Sequence, residues 1–474
     1  MFRDIVITYL LNLVYLATLV LQLPRCVWRY FLRGKYRGTL GVRLLGQVER
    51  RLGSAHCVWF EAASLGEVRA MESLVRLFQQ KHPHWQCVIS ASTTSGLHLA
   101  RQLFPDIYVF PLPLDFSWAM RSAVARIRPD LLIIVDIESW QNLLAAARRH
   151  GARVAIVNGR MTDRDFRPHL RAKWGLSRAL RQIDLITAQT NEYADRFVRL
   201  GAPRERVHVV GSLKFDGVET DRNNPITRRL AQLSGIGLGD LVFMAGSTHA
   251  GEEKLVLSVY QALAQRYPTL RLVIAPRHAE RFPAVARMLE RSGMTWQCSS
   301  RLQREGCDAQ ARVLLIDTVG EVAWWWGLSH IAFVGGSLFG GRGKNMLEPA
   351  AYRAAVSFGP KMSDFRSIVQ DLLRHDAAAM VRDECELTRF VEKCVRDAEF
   401  RESLGQRALA LIELCGGVTQ DTLQYLNPVV ACQEQGSGDR QKLAGPGDGV
   451  SQEEIEETTF SNRANTSRQP ILEC

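Results

Sequence analysis

Carboxylates that follow apolar runs are the first chemistry this chain offers. After the run at 56–60 come Ser64, Leu65, Gly66 and Glu67, and a helical pattern starts at once. Ser64 with Glu67 three residues on forms a capping box, in which the side chains satisfy the free N–H groups of a helix start. The same Glu67, if its pKa is raised, is placed to take a proton from a hydroxyl nucleophile. The run LLIIVD ends in Asp136, Ile137 and Glu138. Alternation along an extended chain turns Ile137 away and leaves the two acids on one side. Such a pair can hold a divalent cation through oxygen ligands, or complement a helix dipole. After the run at 207–211, Lys214 is a candidate to neutralise a phosphate or a carboxylate, and equally a surface lysine.

The second half repeats the arrangement with different residues. Gly246-Ser247-Thr248-His249 precedes an acidic helix start at Glu252. Small residues there let main-chain N–H groups approach an anion, although neither GxxxxGK[ST] nor GxGxxG is present. Pro276-Arg277 ends the next run, and Val319-Gly320-Glu321 follows a third. Five glycines then fall within residues 335–343, followed by Lys344, Asn345, Met346, Leu347 and Glu348. Glycine permits close approach of the chain to a ligand. Asn345 and Glu348 lie one helical turn apart on one face, and Glu348 can accept from a pair of sugar hydroxyls.

Parallel β–α–β units must position these residues. Apolar runs at 56–60, 86–90, 108–111, 131–136, 153–158, 185–188 and 207–211 alternate with helical patterns at 67–81, 117–127, 140–150 and 192–200. A second series at 241–245, 270–275, 313–317, 331–334 and 355–358 alternates with helices at 252–266 and 283–292. Continuous Val/Ile runs are strands covered on both faces. Strand–helix alternation predicts two doubly wound α/β domains in tandem. Ligands of such sheets bind beyond the carboxyl ends of the strands, here in a cleft between the domains.

At 474 residues the chain is long for one hydrophobic core. Apolar residues at 46% exclude wholesale disorder. Ten cysteines without a CxxC or a nearby histidine at zinc spacing argue against a zinc site and a disulfide scaffold, and suit a reducing compartment. Net charge is +11; the last 42 residues hold eight acids and four bases, so residues 1–432 carry +15. That excess calls for an anionic partner, yet no aromatic-basic RNA motif or helix-turn-helix pattern accompanies it, so nucleic acid is disfavoured. Residues 5–23 are free of charge and just long enough to span a bilayer. Arg25, Arg29 and Arg33 share one helix face behind them, with Trp28, Tyr30 and Phe31 between, as on an acidic lipid surface. Positive-inside bias places the rest of the chain in the cytoplasm. From Gln433 the composition reads as a disordered tail.

Several motifs together resemble the bacterial 3-deoxy-D-manno-octulosonic acid (Kdo) transferases. They are SLGE (64–67), STTSG (92–96), DIESWQN (136–142), NGR (158–160), AQTNEYADRFVRLGA (188–202) and VVGSLKFD (209–216). GSTHAGEE (246–253), APRHAERF (275–282), DTVGE (317–321) and FVGGSLFGGRGKNMLEPAAY (333–352) follow in the same order. The similarity runs from the anchor to about residue 428.

The resemblance implies a GT-B architecture: two Rossmann-like domains with an interdomain cleft, plus an N-terminal membrane-anchor helix. Together with the composition of the two ends and the Asn223-Asn224-Pro225 break, this gives an anchor and neck (1–37), an acceptor-binding domain (38–222), a CMP-sugar-binding domain (223–432) and a tail (433–474). The resemblance further implies inverting, metal-independent transfer of Kdo from CMP-Kdo to the 6′-hydroxyl of lipid IVA, with no cofactor, at the inner membrane and beside its acidic phospholipid. By matching position Glu67 is the general base, and Asp136 and Lys214 stabilise the transition state. CMP is expected to contact Pro276, Arg277, Val319, Gly320, Glu321, Asn345, Met346, Leu347 and Glu348.

Three departures from the family pattern are present. Asp136 stands where the first of two glutamates is usual, Lys344 where histidine is usual, and Met346 where proline is usual. A GT-B enzyme using another nucleotide sugar, or a non-catalytic membrane-tethered descendant, are the competing readings.

Overall fold

The computed structural model describes residues 40–137, 141–171 and 173–443, together with Asn12 and Leu16. The rest of the apolar stretch at 5–23, the basic neck, Glu138 and residues 444–474 lie outside the described residues. Among the described residues no helix is long and apolar enough to cross a membrane.

The first sheet contains β1 (Cys57–Ala62), β2 (Gln86–Ala91), β3 (Tyr108–Pro111), β4 (Leu131–Val135), β5 (Arg153–Gly159), β6 (Leu185–Ala188) and β7 (Val207–Val209), in the order β3-β2-β1-β4-β5-β6-β7. All neighbours are parallel. In β4, Leu132 and Ile134 enter one hydrophobic core while Leu131, Ile133 and Val135 enter the core on the opposite face. That double burial is why the sequence shows an unbroken apolar run instead of alternation. The order reverses between β1 and β4, which opens a crevice at their carboxyl ends.

The second sheet contains β8 (Leu241–Thr248), β9 (Leu270–Pro276), β10 (Trp296–Cys298), β11 (Val313–Leu315), β12 (Ile331–Val334), β13 (Ala355–Phe358) and β14 (Ala379–Met380), in the order β10-β11-β9-β8-β12-β13-β14. It is parallel throughout, and its order reverses between β8 and β12. The edge strands β10 and β14 are two or three residues long, too short to leave a periodic signal in the sequence. The eight cysteines among the described residues are free.

Helices that matter for the site are α1 (Leu65–Ala70), α2 (Glu72–Lys81), α3 (Glu252–Ala264), α4 (Leu347–Ala351) and α5 (Val418–Leu443). The expected helix at 67–81 is interrupted at Met71, which caps both α1 and α2.

The chain order of the domains needs one correction. Helix α5 returns to the first sheet, where Val418, Leu423, Leu426 and Val430 join Val58 and Ile89 in one core. Its start is fixed by Asp216, whose carboxylate accepts the N–H groups of Gly417 (2.9 Å) and Thr419 (2.5 Å). One carboxylate thus ties the outgoing crossing between the lobes to the returning one. The helix also runs past 432. Gln433 Nε2 donates to the carbonyls of Asp130 (2.7 Å) and Gly151 (3.0 Å), and Glu434 Oε1 accepts from Trp85 Nε1 (2.9 Å). The polar composition from Gln433 onward, read as a tail, conceals residues that bond to the first sheet.

Candidate active site

Glu67 enters the crevice of the first sheet because β1 ends at Ala62 and α1 begins three residues later. Ser64 N–H donates to Glu67 Oε2 at 3.0 Å, so the capping box is formed and the candidate base is its acid. The two readings of Glu67 therefore describe one residue in one position. Burial raises its pKa above the ordinary carboxylate range, the nearby charge of Asp136 raises it further, and the hydrogen bonds from Ser64 pull it back in part. A raised carboxylate is what general-base work near neutral pH requires.

Asp136 follows β4 in a left-handed conformation, with φ of +67°. Aspartate tolerates that region because its short side chain bonds locally. Here the Ile137 N–H donates to Asp136 Oδ1 at 2.8 Å. Ile137 itself packs on the hydrophobic core, as alternation requires. The other oxygen, Oδ2, accepts from Arg160 Nε at 3.1 Å. Asp136 is 8% exposed, and burial raises its pKa against the opposing pull of Arg160, the Ile137 N–H and Lys214.

Lys214 is held from below by Asn158. Asn158 Oδ1 accepts the Leu213 N–H (3.0 Å), and Asn158 has a left-handed φ of +55° at the end of β5. The Asn158-Gly159-Arg160 segment thus places two cations at once: Arg160 directly and Lys214 through the Leu213 turn. Burial and the neighbouring Arg160 lower the lysine's pKa, while Asp136, Asp364 and Glu67 oppose them. The acids and bases of this cluster feel one another, so they titrate as a set.

Across the cleft, the carboxyl ends of β8, β9 and β12 carry the second group. Asn345 Nδ2 donates to Glu348 Oε1 at 3.2 Å, which orients the carboxylate at the start of α4. Burial raises the Glu348 pKa, against Asn345, Arg69, Arg277 and Trp326, each of which favours the charged form. Arg69 lies in α1, two residues beyond Glu67, so the helix of the candidate base faces the carboxylate of the other lobe. Trp326 reaches Glu348 because Gly246 leaves it room; a Cβ at Gly246 would stand 2.2 Å from the indole. Burial and the charge of Arg277 lower the pKa of Lys344.

The structure thus brings Glu67, Asp136 and Lys214 together on one side, and Arg277, Asn345 and Glu348 on the other. Met346 and Leu347 are fully buried in the core of the second lobe, so any contact they make with a nucleotide is through the main chain. Pro276 is the buried last residue of β9. Val319, Gly320 and Glu321 are exposed on the loop after β11, the strand beside β9. Glu138 lies outside the described residues. Arg160, Arg69, Trp326, Asp364 and Phe365 were not singled out from sequence. Arg160 stood within the NGR motif; Asp364 and Phe365 carry no motif at all.

Residues 42–217 match the family model described as 3-Deoxy-D-manno-octulosonic-acid transferase (kdotransferase). The chain is 32% identical over 384 residues to the 3-deoxy-D-manno-octulosonic acid transferase of Haemophilus influenzae, covering 79% of this chain and 89% of that one. It is 30% identical to that of Bordetella pertussis, over 78% and 86%. Among solved structures it resembles the UDP-GlcNAc 2-epimerase of Neisseria meningitidis (TM-score 0.56, 15% identity, 78% of this chain and 100% of that one). It also resembles a glycosyltransferase of Rickettsia africae (TM-score 0.54, 11% identity, 79% and 99%). These two likenesses concern the two-lobed α/β fold alone. The relatives, each covering more than three quarters of this chain at 30% identity or more, show that the chain belongs to the Kdo transferases, a family of glycosyltransferases.

Proposed function

We propose that the chain is an inverting, metal-independent Kdo transferase of lipopolysaccharide assembly, with CMP-Kdo as donor and the 6′-hydroxyl of lipid IVA as acceptor. The observation that carries the reading is the half-buried Glu67 beside Lys214 and the buried Asp136, with Arg69 on the helix of Glu67 facing Glu348 of the opposite lobe.

Glu67 takes the proton of the acceptor hydroxyl as its oxygen attacks the anomeric carbon of Kdo. The bond from that carbon to the phosphate oxygen breaks, and its electron pair leaves with CMP. A phosphate leaving group is already anionic, so it needs positive charge rather than a proton. Lys214, Arg160, Arg277 and Lys344 offer that charge from both sides of the cleft. Asp136 holds Arg160 and keeps Lys214 protonated against its burial. Glu348, oriented by Asn345, suits the ribose hydroxyls.

The apolar stretch at 5–23 and the arginines behind it fit an inner-membrane anchor beside acidic phospholipid, with the catalytic lobes on the cytoplasmic face. A diphosphorylated, acylated acceptor resides in that membrane, so the anchor belongs next to the cleft.

The test is incubation of the full chain with CMP-Kdo and lipid IVA, reading product mass with and without EDTA. Gain of one or more Kdo masses, unaffected by EDTA, supports the reading. No gain with CMP-Kdo but gain with a UDP- or GDP-sugar overturns the donor. Loss with EDTA that Mg²⁺ restores overturns the metal-independent mechanism.

A further inference from the structure

Glu252 opens α3 and is wholly buried. Its two oxygens accept four main-chain N–H groups. Oε1 takes those of Ser337 and Leu338, both at 2.9 Å. Oε2 takes those of Gly336 (2.7 Å) and His249 (2.8 Å). The placement follows from topology. Chains leaving the carboxyl ends of β8 and β12 diverge at the point where the strand order reverses, so their N–H groups lose sheet partners. A carboxylate from the start of α3 fills that gap. The fit admits no side chain at Gly335, where a Cβ would stand 2.5 Å from Thr248 Cα and 2.8 Å from Glu252 Oε2.

Order passes outward from this carboxylate along two routes. Gly336 accepts the Gly343 N–H through its carbonyl (3.0 Å), and Lys344 with the Asn345–Glu348 run follows directly. Ser337 accepts the Gly359 N–H on Oγ (2.9 Å) and the Lys361 N–H on its carbonyl (2.9 Å). The segment so fixed carries Asp364, which pairs with Arg342 of the glycine loop at 2.7 Å. It also carries Phe365, whose ring lies under Lys214 of the first lobe.

We infer that Glu252 is a positioning residue for the transfer reaction: it sets the glycine-rich loop, and through that loop both the nucleotide-facing run at 344–348 and the 359–365 segment that meets Lys214. The inference rests on the proposed CMP-Kdo reading and extends it to a residue that touches no substrate.

The experiment compares full-length Glu252→Gln with the native chain well below both melting temperatures. A carboxamide keeps one acceptor oxygen and turns an NH₂ toward two N–H donors. CMP affinity by calorimetry and the donor KM should weaken tenfold or more, with acceptor KM within twofold. Glu252→Asp, which restores charge with a shorter reach, should recover part of the CMP affinity. A Glu252→Gln chain with native CMP affinity and donor KM and only a lower Tm overturns the inference. If that variant does not fold, Ser337→Ala serves: it severs the Gly359 bond and leaves the bonds to Glu252 intact. A raised donor KM or lowered kcat supports the second route, and native kinetics overturn it. Should the native chain fail to bind CMP, the donor reading falls, and hydrogen exchange decides the inference. Loss of protection at amides 336–338 in Glu252→Gln supports it; unchanged protection overturns it.

Discussion

The Lys214 ammonium of the first lobe rests 4.5 Å from the centre of the Phe365 ring of the second. The ring face is electron-rich and attracts the cation without removing its proton. Lys214 is thereby held between the Asp136–Arg160 pair on its own side and Asp364 on the other. Phe365→Leu keeps apolar bulk and removes the ring face. A cation–π contact is worth about 0.5–2 kcal/mol, so kcat/KM should fall about 2- to 30-fold. Phe365→Tyr should be near native. Steady-state rates with thermal melting as a fold control check this, and equal activity of the leucine variant would remove the contact from the mechanism.

The pH dependence of turnover should be squeezed from both ends. Glu67 must be ionised to accept a proton, and its raised pKa moves the acid limb above the ordinary carboxylate range. Lys214 must be protonated, and its lowered pKa moves the alkaline limb below the ordinary lysine range. Asp136 raises both groups, so Asp136→Asn should shift both limbs to lower pH. Arg160→Met removes the cation that depresses Lys214, so its alkaline limb should shift to higher pH. Profiles of kcat/KM for the three proteins decide it. Limbs that move in opposite directions in Asp136→Asn would break the assignment.

Glu67→Gln should lower kcat by a factor of about 10² or more, the usual contribution of general-base catalysis, and leave CMP affinity unchanged. The proposed nucleotide bed belongs to the other lobe, and Gln retains an oxygen for the Ser64 N–H. Single-turnover rates and CMP calorimetry separate the two effects. Parallel loss of both would make Glu67 a structural cap.

Glu67 and Asp136 were legible in sequence because each follows a doubly buried strand, β1 or β4, whereas Lys214 follows the short, partly exposed edge strand β7. An apolar run that ends in Asp136 or leads to Glu67 announces both the strand and the place where ligands bind. The capping-box acid and the candidate base are one residue, Glu67, so both sequence signals point to one position. What escaped was set by tertiary geometry. Asp364 and Phe365 reach the site through a loop tied to Ser337, and no local pattern encodes that tie. Trp326, in the turn before β12, bonds Glu348 only because Gly246 of β8 leaves its indole room. Along the chain Arg69 is indistinguishable from any exposed helix arginine; only the second lobe, packed opposite α1, gives it Glu348 to face. The helix at Val418–Leu443 was obscured by its polar second half, although its first half carries the apolar spacing that buries it on the first sheet.

Residues 431–443 should matter for stability, and 444–474 should not. Truncation after Leu443 should leave the melting temperature unchanged. Truncation after Val430 removes Gln433 and Glu434, and with them the bonds to Asp130, Gly151 and Trp85. At about 0.5–1.5 kcal/mol per hydrogen bond, the loss of these three should total about 1.5–4.5 kcal/mol and appear as a lower Tm by calorimetry. Equal melting of the two truncations would show these contacts to be idle.

Acid lability should trace in part to His330. Its Nδ1 accepts the Val242 N–H at 3.1 Å, so the ring is neutral in the folded chain. Burial lowers its pKa to about 4, helped by Arg222 and Arg401. Between that value and the ordinary histidine value of about 6.5, the unfolded chain binds the extra proton and the folded chain does not. Stability therefore rises with pH across this window, is complete above it, and is lost as pH falls toward 4, by at most about 3 kcal/mol. His330→Asn offers an amide oxygen to Val242 and cannot titrate. The difference in unfolding free energy between native and variant chains should thus grow with pH from 4 to 6.5 and level off above. Urea melts at a series of pH values measure it. A difference that stays constant across the window would mean that His330 takes up its proton equally in both states.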